Sequence, residues 1–415
     1  MGVAEREDLK NKARRFKEFR NLNELSRLLA LPDAEKAKRG LVHTPAEIAH
    51  QPETWDRTLE LFRGKQVEIQ TFISAVGIAG TPGCDVVVFL VGAGTSDYTG
   101  QAISQLLRKL WGCDVLAVPS TDLLTQMDEL ILPGRKYLWI SFSRSGDSSE
   151  GVAVLARARE KHPDIHHIVI SCNPNGRMLR QSAGKPKTLG ICMIDEANDR
   201  GLAMTSSFSN MVVFGQCMAH VASLEGYEPV LRKLVAAGKS LLPRAADCAA
   251  ALAKQGYTKA FFVGSGPLRA VAKESALKVL ELTAGKTLTM MESALGLRHG
   301  PMAALDAQSL FVCFLSGDKR VQGFERDLLR EIGAKKIARR RIVVGGSELA
   351  SDSYAEDYLA PEGTSGVADE YRAPVDVMFG QLLGLFSSIR WNLMPDSPSP
   401  DGVINRVVEN VNIYS

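Results

Sequence analysis

The feature that most limits how this chain can fold is a pattern used twice. Near residues 85–94 and again near 258–267, an apolar run ends in a Gly-rich turn that opens a helix, DVVVFLVGAG and then TKAFFVGSGP. Runs that are apolar throughout, rather than alternating, suit strands covered on both faces, the situation of parallel sheets flanked by helices. KYLWISFSRSG, HHIVISCNPNG and LGICMID continue the first cycle; SLFVCFLSGD, RRRIVVGG and an apolar helix from Val375 to Trp391 complete the second. VVVFLVGAGTSDYTGQAI aligns with AFFVGSGPLRAVAKESAL, and WISFSRSGDSSEG with FVCFLSGDKRVQG. The spacing therefore predicts an α/β protein made of two duplicated units, each a doubly wound, mostly parallel sheet between helices.

Length agrees with two units: 415 residues, 45% of them hydrophobic, can fill two cores. The expected divisions are a helical extension over residues 1–60, a first domain over 61–230, a second over 240–400 and a tail over 401–415, with a linker near 225–245. Phe16, Phe19, Leu22, Leu25 and Leu29 fall at helical spacing and would pack the extension on the main body.

Charge argues against several functions. A net charge of +3 gives no global footprint for nucleic acid or an anionic membrane. The short basic cluster Lys335, Lys336, Arg339, Arg340 and Arg341 lacks interleaved aromatics and runs into a strand, so it reads as a solvated helix end. No apolar stretch is long enough to span a membrane, and the charged start MGVAEREDLKNKARRFKEF is not a secretory signal, so a cytoplasmic protein is expected. The seven scattered cysteines form no CxxC pair, which points to reduced thiols rather than to a metal site. His162, His166 and His167 have ligand-like spacing but lead directly into a strand; they read as an exposed helix-to-strand turn.

Ligands of doubly wound sheets sit beyond the carboxyl ends of the strands, where helix N-termini offer free N–H groups. The first repeat places Gly94, Thr95 and Ser96 at one such end and Ser143, Arg144, Ser145 and Ser148 at the next. One hydroxyl would suffice to cap a helix; this many around glycines fit a cradle for a phosphate without a metal. The second repeat keeps the turns, GSGP and SGDKRV, but loses the hydroxyls, so one phosphate per chain is expected. It carries different chemistry: Glu274, Lys278 and Glu281 share one face of an otherwise apolar helix that starts at the Gly-rich turn. A carboxylate in such surroundings can be a base near neutral pH, and His299 in the RHGPMA loop is of the type that moves protons there.

Taken together, GAGTS, SRSGDSSE, ESALKVLEL and RHGPMA in this order resemble the sugar isomerase (SIS) superfamily over about residues 80–415, in particular the isomerase half of glucosamine-6-phosphate synthase. HTPAEIAHQPETW and SPDGVINRVVENVNIY look like the galactosamine-6-phosphate deaminase/isomerase subgroup, also called tagatose-6-phosphate ketose/aldose isomerases. The resemblance implies two tandem SIS domains. It implies that Gly94, Thr95, Ser96, Ser143, Arg144, Ser145 and Ser148 hold a sugar phosphate, with Glu274 and Lys278 in support. It also implies that Glu281 moves a proton between C1 and C2 and that His299 opens the sugar ring in a neighbouring subunit, hence a homodimer or larger assembly. No cofactor or metal is expected.

Two departures bear on the reaction. Met1 leads into charged helix and not into a glutamine-hydrolysing domain, which favours the ammonia-releasing direction. Where the synthase has a Schiff-base lysine near its C-terminus this chain has Arg406, and a guanidinium stays protonated and forms no imine. The expectation is a deaminating isomerase of an amino-sugar 6-phosphate. A plain aldose–ketose isomerase and a non-catalytic sugar-phosphate sensor stay open on residue types, although a sensor has no need of Glu281 and His299 together.

Overall fold

The computed structural model describes residues 22–78, 84–345, 354–408 and 411–414; Phe16 and Phe19 lie outside them. Helices come first: α1 (Glu24–Leu29), α2 (Asp33–Arg39), α3 (Thr44–Ala49) and the long α4 (Gln51–Val76). Pro45 and Pro52 stand in the first turns of α3 and α4, where a missing N–H costs nothing.

The first sheet follows, with β1 (Val86–Gly92), β2 (Asp114–Pro119), β3 (Lys136–Ser143), β4 (His166–Ser171) and β5 (Thr188–Cys192). Its crossovers carry α5 (Thr95–Trp111), α6 (Ser120–Leu130), α7 (Ser149–Lys161) and α8 (Arg177–Ser182). Helices α9 (Ser206–Ala219) and α10 (Glu228–Ala253) lead to the second sheet. That sheet is built of β6 (Lys259–Gly264), β7 (Leu288–Glu292), β8 (Ser309–Phe314), β9 (Arg340–Val344) and β10 (Asp357–Leu359), with α11 (Leu268–Leu282), α12 (Lys319–Lys335) and α13 (Ala373–Arg390).

The strand orders are β2-β1-β3-β4-β5 and, from the far edge, β7-β6-β8-β9-β10, so the two sheets wind identically. Every pairing in both is parallel. The duplicated architecture read from the apolar runs is present, and the order reverses between β1 and β3 and between β6 and β8. Crevices open at such points. Three strands escape a search for apolar runs, namely β2, β7 and β10, each at a sheet edge. β2 and β7 have exposed or half-buried residues along most of their length, so no continuous apolar stretch marks them.

One hydrophobic core joins the repeats. It contains Val88 and Leu90 of the first sheet, Phe262 and Val312 of the second, and between them Ile103 of α5, Phe214 of α9, Leu241 of α10 and Phe379 of α13. The outer faces have separate cores, around Phe89 and Trp139 on one side and Phe261 and Phe311 on the other.

Some expectations differ from the structure. The segment read as a linker, near 225–245, lies mostly within α10, whose Leu231, Leu234, Leu241 and Leu242 are buried. Its Leu and Ala periodicity is that of a packed helix, and it is part of the shared core. Residue 60 falls inside α4 instead of at a boundary. Leu25 is buried as expected of the extension, whereas Leu22 is exposed. His167 is not an exposed turn residue: it lies in β4 at 1% exposure beside Trp139, and burial pushes its imidazole down to about 3.

Candidate active site

The serine loop and the first Gly-rich turn meet at the β1/β3 switch point. A cavity of about 150 Å³ opens there, lined by Ser96, Ser143, Arg144, Ser145, Ser148 and Arg406 among others. The turn is fixed by close approach: a Cβ on Gly92 would lie 2.4 Å from the backbone carbon of Ser96, so α5 can start this near the strand only over glycine. Gly94, at φ +55°, forms the N-cap of α5. In the serine loop, Ser143 Oγ accepts the Gly146 N–H at 2.9 Å and Ser145 Oγ accepts the Asp147 N–H at 3.2 Å. Ser148 stands at the N-cap of α7 but makes no capping hydrogen bond. Its hydroxyl and the first N–H groups of that helix are placed to receive an anion.

Two arginines supply positive charge. Arg144 donates to the carbonyl oxygens of Leu202 at 2.8 Å, Gly201 at 3.3 Å and Arg406. Arg406 donates through Nε to the Asp199 carbonyl and through Nη2 to Asn198 Oδ1, both at 2.9 Å. Among the described residues neither forms an ion pair. Burial and the neighbouring Arg406 bring Arg144 down to about 10, which leaves it a cation at neutral pH. Two guanidiniums outside any such ion pair, beside a hydroxyl-rich loop, favour a phosphate over a neutral ligand. Sequence reasoning missed the 198–202 loop that holds both of them. It contains no apolar run, and only its Asn-Asp-Arg-Gly composition marks it as a turn.

The second repeat delivers its acid–base residues to the same place. Helix α11 packs on α5, and Lys278 on its buried face donates to Thr95 Oγ1 at 3.0 Å, while the Thr95 hydroxyl donates to Glu274 Oε1 at 3.2 Å. Lys278 Nζ lies 3.3 Å from Glu274 Oε1 and 2.6 Å from Glu281 Oε2. Lys278 and Glu274 are buried, whereas the Glu281 side chain is 27% exposed, the one member of the triad that solvent or a ligand reaches. Burial, reinforced by Glu281, pushes Glu274 up to about 8 against the pull of Lys278. Burial alone would lower Lys278, but the two carboxylates outweigh it and hold its pKa above the usual lysine value. At neutral pH the arrangement is thus a protonated Glu274 beside a cationic Lys278, with Glu281 Oε2 set against the Lys278 ammonium. Thr95, expected in the cradle, turns its hydroxyl to this triad; Ser96 is the residue that faces the cavity.

His299 is apart from the other site residues. It is exposed in the loop between β7 and β8, and among the described residues no hydrogen bond or ion pair engages its ring.

The equivalent crevice of the second repeat is larger, about 520 Å³, and is lined by Ser265, Gly266, Ser316, Gly317, Asp369 and Arg372 among others. Several of its donors are already taken. Asp369 accepts the Gly317 N–H at 2.8 Å and the Ser316 hydroxyl at 2.5 Å, and the buried Glu325 accepts the Ser316 N–H at 2.8 Å. The chain's own carboxylates fill the positions an external anion would take.

Comparison with known proteins fits this geometry. The SIS domain model matches residues 85–221, the span of the first sheet and α9. A Streptomyces coelicolor protein provisionally named D-galactosamine-6-phosphate deaminase AgaS is 36% identical over 380 residues, covering 90% of this chain and 96% of the relative. The chain belongs to the galactosamine-6-phosphate deaminase/isomerase family of SIS-domain proteins. Another member, the D-galactosamine-6-phosphate deaminase AgaS of Shewanella sp. (strain ANA-3), is 31% identical over 394 residues, 93% of this chain and 95% of that one. The crystal structure of tagatose-6-phosphate ketose/aldose isomerase from Escherichia coli superposes on this family member with a TM-score of 0.80 at 29% identity, covering 90% of this chain and 96% of the other.

Proposed function

We propose that this chain converts D-galactosamine 6-phosphate and water to tagatose 6-phosphate and ammonia. The observation that carries the reading is the meeting of a cationic, hydroxyl-lined phosphate crevice in one repeat with the Glu274–Lys278–Glu281 triad of the other. The names of the family relatives point the same way.

Gly94, Ser96, Ser143, Ser145 and Ser148 hold the phosphate, with Arg144 and Arg406 supplying charge. Thr95, Lys278 and the protonated Glu274 fix the Glu281 carboxylate. His299 of a neighbouring subunit in a homo-oligomer opens the sugar ring, which accounts for its exposure and for its lack of ring partners among the described residues. In the open aldose, Glu281 takes the C2 proton and leaves an enolamine across C1 and C2. Return of a proton to C1 gives an imine at C2; water adds there, and ammonia leaves as the carbonyl forms. Carbon oxidation at C1 falls as that at C2 rises, so no external electron acceptor is needed. The reaction belongs to the cytoplasm, where sugar phosphates are made and used.

The test is ammonia release from galactosamine 6-phosphate, with glucosamine 6-phosphate and tagatose 6-phosphate in parallel. Glu281→Gln should abolish turnover and leave ligand affinity nearly unchanged; retained activity removes Glu281 from the mechanism. A second reading, plain aldose–ketose isomerisation, is favoured by the name of the Escherichia coli structure. Interconversion of tagatose 6-phosphate with its aldose, without ammonia from either amino sugar, would select it.

A further inference from the structure

The pocket arginines hang on a loop, and the loop hangs on a residue outside the pocket. Glu47, in α3, is buried at 6% exposure, and its Oε1 accepts the backbone N–H groups of Arg200 and Gly201. The carbonyl of Gly201, in turn, accepts from Arg144, and that of the neighbouring Asp199 accepts from Arg406. The loop cannot move off this contact and stay packed. A Cβ on Gly201 would meet Thr44 Oγ1 at 2.8 Å and Glu47 Oε2 at 3.1 Å, so Gly201 is seated directly against α3.

The start of α3 is itself clamped from the other side. The Asp396 carboxylate accepts the N–H groups of Val42 and Thr44 at 2.7 Å and the Thr44 hydroxyl at 2.8 Å, and the Asp396 carbonyl accepts the Leu202 N–H at 3.0 Å. Helical extension, loop and C-terminal segment thus form one hydrogen-bonded unit behind the crevice.

From this connectivity we infer that Glu47 is a positioning residue for phosphate binding, acting through the 198–202 loop to aim Arg144 and Arg406. The inference rests on the reading of the crevice as a sugar-phosphate site. Glu47 also sits where its charge matters. Burial, then the Asp199 carboxylate, raises it to about 8; Asp396 adds to this and the Arg200 and Gly201 N–H groups oppose it. The titratable groups facing it are the acidic side chains of Asp199 and Asp396 and the basic one of Arg406. Near pH 7 Glu47 holds a proton and takes nothing from the positive field of the arginines; at pH 9 it is a carboxylate beside them.

The experiment is calorimetric binding of galactosamine 6-phosphate and of inorganic phosphate to the full chain, wild type, E47Q and E47A, at pH 7 and pH 9, with turnover measured alongside. E47A removes the acceptor of the Arg200 and Gly201 N–H groups and should weaken binding about 10-fold, with kcat changed less than about threefold. E47Q keeps the acceptor and should bind within about threefold of wild type at pH 7, yet lose less affinity than wild type on going to pH 9. A melting curve separates loss of aim from loss of fold. Equal binding by wild type and E47A, or equal loss in E47A and E47Q, overturns the inference. Should E47A fail to fold, identical pH responses of wild type and E47Q overturn it. Wild type that binds neither ligand instead overturns the phosphate-site reading, and the role of Glu47 with it.

Discussion

Replacing Glu274 by Gln should make the protein more stable, increasingly so as pH rises from 5 to 8. Glu274 is fully buried, and its pKa is raised from the ordinary 4.5 to about 8. A group raised in this way releases its proton more readily when the chain unfolds, so stability is fully present below pH 4.5 and is lost progressively as pH climbs towards 8. At ~1.4 kcal/mol per pH unit the ceiling is about 5 kcal/mol, and a compact unfolded state and water penetration should cut it to roughly 2–3 kcal/mol. Gln matches the neutral acid in shape and still offers an oxygen to the Thr95 hydroxyl, but carries no such penalty. Urea midpoints of both proteins at half-unit pH steps give the assay, because the difference between them cancels groups they share. The gap should open between pH 5 and 8. Parallel curves across that range would refute a protonated Glu274 and with it the charge assignment of the triad.

Other perturbations separate the parts of the site. Ser148→Ala should leave stability within about 0.5 kcal/mol, since its hydroxyl caps nothing, and should weaken phosphate binding about 10-fold by calorimetry. Gly92→Ala should cost more than about 2 kcal/mol in urea unfolding, because its Cβ would collide with the start of α5. Asp199→Ala should also lower the melting temperature markedly, as its carboxylate accepts the N–H groups of Thr205, Ser206 and Ser207 at 2.8–2.9 Å at the start of α9. Asp369→Ala should expose the second-repeat donors and raise the phosphate stoichiometry measured by calorimetry above that of wild type; an unchanged stoichiometry would show that those donors do not form an anion site.

The central strands were legible because parallel strands covered on both sides leave an uninterrupted apolar signature, and the Gly-rich turns betrayed the repeat. Edge strands β2 and β7 were not, since a half-exposed strand resembles a loop in composition. At the site, the meeting of Glu274, Lys278 and Glu281 followed from helical spacing alone. Their partner Thr95 did not: it lies in the other repeat, and which side of the turn its hydroxyl faces depends on how α11 packs against α5. Glu47 was invisible for a similar reason. Its role comes from a loop some 150 residues away, and no local pattern distinguishes it from any glutamate near a helix N-terminus.

The common core has a consequence for how such a protein changes over generations. α9, α10 and α13 lie between the two sheets and bury side chains against the material of both, so neither copy retains a complete interior if the other is removed. The two units, alike in strand order, are therefore a single heritable object. With the hydroxyls in one half and the proton-moving groups in the other, a gene cut at the midpoint should yield two halves that each lack part of the core and part of the site rather than two simpler enzymes.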